Sequence, residues 1–183
     1  VDERALPEDF IEALLSLRNA PRNPRIELEE VPPPRRLAPF TAALAMRTLD
    51  EEFSEPLATG RFVVLHDPDG QHGWNGTFRI VAQLRSHIDP EMGNDPLLAE
   101  ALWAWADECL VDAGAAFHDL TGTVTRETSE AFGGLVLRGS TLNVEMRASW
   151  TPDSPSIGEH LVGWSDLVLR TCGVASQRFL EGV

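Results

Sequence analysis

The chain has 183 residues, with 29 acidic side chains against 15 basic ones and a net charge of -14. Hydrophobic residues make up 43% of it, too many for a wholly disordered chain. The acidic excess argues against nucleic acid as a partner, because phosphate binding needs concentrated positive charge. All 15 basic residues are Arg, with no Lys to form a Schiff base.

At this length one domain spanning residues 1–183 is the default. The opening VDERALPEDF is charged and has no apolar signal core, and Val1 in place of Met reads as a trimmed start. No apolar run approaches the roughly 20 residues of a membrane span. The expected location is the cytoplasm, away from membranes. Cys109 and Cys172 are the only cysteines, too few for a secreted disulfide framework, and read as buried reduced thiols.

Residues 8–19 read as a helix with Phe10, Ile11, Leu14, Leu15 and Leu17 on its apolar face. A short strand, Ile26 to Glu30, follows, and then the stiff connector Pro32-Pro33-Pro34. Strands over 41–49 and 61–66 flank an acidic, mobile loop at 51–60. The second is apolar on both faces and so central in its sheet. Asp67-Pro68-Asp69-Gly70 reads as a tight turn.

Residues 76–88 alternate, with Phe78, Ile80, Ala82, Leu84 and Ile88 inward. Asn94 or Asp95 then caps a helix that buries Leu98, Ala101, Leu102, Trp105 and Cys109 and stops at Gly114. A strand at 120–127 precedes the cleanest alternation, 141–151, with Leu142, Val144, Met146, Ala148 and Trp150 inward. A last helix, about 157–172, buries Leu161, Trp164, Val168 and Cys172 and stops at Gly173. The tail to Val183 is left open. The expected class is α+β: an antiparallel sheet of about five or six strands with three helices.

The pattern L-x-x-W-x-D-x-x-L-x-x-x-G occurs twice, from Leu102 to Gly114 and from Leu161 to Gly173. The preceding strands match after a three-residue gap, pairing Gly60 with Gly122, Leu84 with Met146 and Arg85 with Arg147. Two readings stand: a duplicated hairpin–helix unit over 60–114 and 122–173, or convergent spacing. Duplication predicts both Trp105 and Trp164 in a shared core.

Chemistry-bearing residues are sparse. His66-Asp67-Pro68-Asp69-Gly70-Gln71-His72 holds two His and two Asp, but its spacing fits no named metal site, and a strand end with a polar turn explains it. Arg79, Arg85 and Arg147 occupy outward strand positions, with Arg126 a fourth candidate of less certain facing. Such guanidiniums can grip a carboxylate or phosphate bidentately, or merely form cross-strand ion pairs. No nucleophile elbow, phosphate loop or clustered Cys is present, so no catalytic residue, metal or cofactor is expected. Trp74 and Trp103 could anchor a partner or cover the core rim.

The segments PPPRRLAPF (32–40), GRFVVLHDPDGQHGWNGTFRIV (60–81), DPLLAEALWAW (95–105), GTVTRETSEAFGG (122–134) and EMRASWTP (145–152) resemble a family of high-GC Gram-positive bacteria. It is catalogued as a domain of unknown function, number 3000 in that series. The resemblance covers almost the whole chain. It implies an intracellular bacterial protein and assigns no functional residue. The order helix, strands, helix, two strands, helix also looks like type III secretion chaperones, which are small, acidic, dimeric binding proteins. The strand near 41–49 and the proline connector depart from that pattern.

The leading expectation is a non-enzymatic binding or chaperone-like protein that uses a sheet face or a dimer interface. Its partner would be another protein or a second copy. The alternative is a small-molecule enzyme or sensor with an anionic ligand on the arginines.

Overall fold

A computed structural model describes residues 5–52, 54–134 and 139–173. The tail after Gly173 lies outside them. Helix α1 spans Glu8–Asn19, with Glu8 and Asp9 in its first turn and Arg18 in its last, as the helix dipole favours. It buries Phe10, Ala13 and Leu17. Ile11 and Leu15, expected inside, are 43% and 50% exposed. Close approach to the last helix turns them out. A Cβ on Gly158 would lie 2.6 Å from the Ser16 carbonyl oxygen, and the Gly158 N–H donates to Ser16 Oγ at 2.8 Å. Ser16 and Ala20 thus meet the last helix at Gly158, and Phe10, Ala13 and Leu17 face in.

The strands are β1 (Ile26–Val31), β2 (Phe40–Thr48), β3 (Glu51–Glu52), β4 (Glu55–Pro56), β5 (Ala58–His66), β6 (Phe78–Ile88), β7 (Phe117–Ser129) and β8 (Thr141–Pro152). Six of them form one antiparallel sheet in the order β1-β2-β5-β6-β8-β7. The class is α+β, as expected. Within the 51–60 stretch, β3 and β4 pair as a small hairpin, and β5 starts at Ala58 rather than at Arg61.

Helix α2 spans Leu98–Asp112 and α3 spans Gly158–Thr171. A 3-10 turn, Pro90–Asn94, leads toward α2, and Asp95 Oδ1 accepts the Leu97 N–H at 2.9 Å. The helix therefore begins later than the expected cap. Its buried residues are Leu98, Leu102, Ala106, Cys109 and Leu110, while Trp105 is only partly covered. The rotation follows from its packing on α3. A Cβ on Gly163 would come within 3.0 Å of the Cys109 carbonyl oxygen and the Leu110 Cα, so the helices meet almost backbone to backbone. Gly114 and Gly173 end α2 and α3 with φ of +83° and +78°, values that favour glycine.

All three helices pack on one face of the sheet. One apolar cluster joins Phe10, Leu102, Leu110, Leu161 and Trp164 to the inward strand residues Phe62, Ile80, Leu84, Val144, Met146 and Trp150. No described helix is long and apolar enough to cross a membrane.

The two similar stretches adopt the same order, β5–β6–α2 and β7–β8–α3. Their inner strands meet antiparallel, and the matching residues Leu84 and Met146 stand directly opposite each other. A local twofold between β6 and β8 would require that. The outer strands break the match: Gly60 faces Leu84, whereas Gly122 faces Ala148, two residues beyond Met146. The tryptophans differ too. Trp164 is fully buried, while Trp105 lies at the rim under the Arg170 guanidinium, 4.4 Å from its ring centre.

Candidate interaction face

Because side chains alternate along a strand, every second residue points away from the helices. Cross-strand pairing then lines these outward residues up in rows. One row runs Glu27, Arg47, Thr59, Arg85, Glu145, Thr125 from β1 to β7. The next runs Glu29, Ala45, Arg61, Gln83, Arg147, Thr123. A third runs Val31, Ala43, Val63, Val81, Ser149, Thr121, a ribbon that is small and apolar over four strands. Val81, at its centre, is 39% exposed. None of these side chains belongs to the helix-side core.

Three of the four arginine candidates lie on this open face. Arg79 is half-buried at one end, donating from Nε to Ser149 Oγ at 2.7 Å and from Nη1 to Thr151 Oγ1 at 2.9 Å. Burial lowers its pKa, while the charge of Asp119 acts the other way. Arg85 and Arg147 share Glu145, at 3.7 Å and 2.6 Å, and Arg85 also reaches Glu127 at 3.4 Å. Such exposed pairs contribute roughly 0.2–1 kcal/mol each. Arg126 does not join them. It stands opposite inward-facing Val144 and donates to the Asp95 carbonyl oxygen at 3.1 Å, on the helix side.

Sequence reasoning missed Arg47 and Arg61, which share the face. The signal was present in the alternation Ala43, Ala45, Arg47 and Arg61, Val63. It was masked because Arg61 to Leu65 reads as apolar on both faces. Arg47 pairs with Glu27. Arg61 has no ion pair among the described residues.

The His66–His72 stretch holds no joint site. His66 is buried at the end of β5, its Nδ1 2.9 Å from the Thr77 carbonyl oxygen and its ring stacked on Phe78 at 4.1 Å. His72 is exposed in the following turn. Asp67 is occupied within the turn, accepting from the Asp69 N–H and from Gln71 Nε2. Among the described residues no cluster of three or more His, Cys, Asp or Glu could hold a metal ion. Cys109 and Cys172 are unbridged, and burial pushes the Cys109 thiol up to about 11, away from thiolate chemistry. Trp74 is buried, and Trp103 packs where Gly122 lacks a side chain, so neither is an exposed anchor. A Cβ at Gly122 would overlap the Arg147 carbonyl oxygen and lie 2.6 Å from the Trp103 ring.

One polar network lay beyond sequence reasoning, because it joins residues far apart in the chain. His118 sits between two acceptors, Asp153 Oδ1 at 2.5 Å and the Asn75 carbonyl oxygen at 3.1 Å. Asn75 Nδ2 in turn donates to Asp119 Oδ2 at 2.8 Å. Only the doubly protonated ring donates from both nitrogens. The hydrogen bond to Asp153, then that to Asn75, raises the His118 pKa above its ordinary value. Its contribution to stability is thus complete below pH 6.5 and disappears as pH rises through the raised pKa. An NMR titration of His118 is expected to give a pKa above 6.5 that Asp153→Asn lowers. An unshifted value in the native chain would contradict this network.

A family model described as a protein of unknown function, DUF3000, matches residues 6–179. The chain belongs to this family. Neither a curated protein nor a solved structure matches it. The DUF3000 match supplies no activity, so the geometry of the face must carry the functional reading.

Proposed function

We propose that this DUF3000 protein is a non-enzymatic binding protein, chaperone-like in role and working in the cytoplasm, whose contact surface is the open face of its sheet. One observation carries the reading: a six-stranded sheet is covered by helices on one face only. Antiparallel sheets tolerate such a face in water, so its being open is not enough by itself. Its charge pattern adds to the case. The face gathers Arg47, Arg61, Arg79, Arg85 and Arg147 with Glu27, Glu29, Glu127 and Glu145, so it is near neutral in a chain of net charge -14. Proteins can approach there without the repulsion that the rest of the surface imposes.

The alternative, an anionic small molecule held by converging arginines, draws less support. Arg79, Arg85 and Arg147 are each engaged by neighbouring side chains, and the glutamates cancel the field that an anion would need. Capture experiments test the binding reading. Arg85→Glu with Arg147→Glu is expected to lose the partners that the native chain recovers from lysate, with the unfolding midpoint nearly unchanged. Recovery of the same partners by the folded double variant would overturn it.

A further inference from the structure

We infer that a second copy of this chain occupies the open face, in a twofold dimer that stacks sheet against sheet. The inference rests on that face being the contact surface. Stacked sheets keep their strands within about 30° of alignment. A twofold axis parallel to the strands, between β5 and β6, preserves position along the strands and reverses strand order. It therefore sets β5 against β6 of the other copy, β2 against β8, and β1 against β7.

The register fixes what meets. Val63 comes over Val81 of the second copy, putting the apolar ribbon at the centre. Arg47 comes over Glu145, and by symmetry Glu145 over Arg47. Arg61 comes over Gln83. Along these rows no like charges oppose each other. Two chains of net charge -14 repel at most other approaches. The size is of the right order. Strands about 4.8 Å apart and rows about 6.8 Å apart give the three rows over six strands an area on the order of 600 Å², against the roughly 800 Å² per partner of a stable interface.

Sedimentation equilibrium of the full chain tests this. The native chain is expected at twice its 20.1 kDa mass. Val81→Arg, a change at an exposed position, is expected to leave a folded monomer. Arg47→Glu alone and Glu145→Arg alone should each weaken the dimer about tenfold or more. Mixing those two variants should restore it, because both cross-copy contacts then pair opposite charges. A native chain that is monomeric at every concentration, a dimer that Val81→Arg leaves intact, or a mixture no tighter than its components would overturn the inference. If the dimer fails while Arg85→Glu with Arg147→Glu still abolishes partner capture, this inference falls and the binding reading stands.

Discussion

Trp150→Ala is expected to lower stability by about 3–5 kcal/mol, a large part of what a domain of this size has. The indole is fully buried on β8 beneath α3. It packs against Phe62 with ring centres 6.4 Å apart and against Trp164 at 5.7 Å. Its Nε1–H donates to His160 Nδ1 at 2.9 Å. Truncation removes buried apolar surface, opens a cavity at the centre of the core and leaves a buried acceptor without its donor. Trp105→Ala is the informative contrast. Trp105, the repeat counterpart of Trp164, is only partly buried, so its loss should cost much less. Chemical denaturation of both variants measures the difference. Equal losses would contradict the placement of the two rings.

The second large effect is an acid-induced loss of stability of about 3 kcal/mol between pH 6.5 and 4, traced to His160. Burial on α3 pushes its imidazole down to about 4, against weaker opposing pulls from Glu159 and Asp153. Within that window the unfolded chain binds a proton that the folded chain refuses. Stability therefore falls as pH drops through 6.5 and levels off below about 4 for this group. Protonation at Nδ1 would also break the bond from Trp150. His160→Gln keeps an oxygen acceptor for the indole and removes the titration. It is expected to flatten the dependence of unfolding free energy on pH across this window. An unchanged slope in that variant would place the effect elsewhere. His118 has the opposite sign, so the two histidines act at opposite ends of the neutral range.

These residues also show which features could be read from sequence. Strand alternation placed Phe78 to Leu84 and Leu142 to Trp150 correctly, because period two survives any tertiary context. The stops at Gly114 and Gly173 were legible for a similar reason: the left-handed backbone that ends a helix favours one residue type. Helix facing was less legible. Ile11 and Leu15 read as core residues, but contact with α3 through Ser16 and Ala20 turned them outward. The facing of Arg126 was open in the sequence; in the sheet it lies in phase with Gly122 and Val124, opposite Val144, and so points to the helix side. The openness of the sheet depends on where three separate helices pack, which no local pattern encodes. The His118 network likewise needs residues 75, 119 and 153 brought together by the fold.

The proposed contact lies on the helix-free face of the sheet. Arginine-directed chemical labelling, read by mass spectrometry, tests it most directly. Dilute native chain is compared with concentrated chain and with chain in complex. Arg61 and Arg147, exposed on the face, are expected to lose reactivity on association, while exposed Arg18 on α1 stays reactive. Protection of Arg18 with Arg61 and Arg147 still fully reactive would contradict the account.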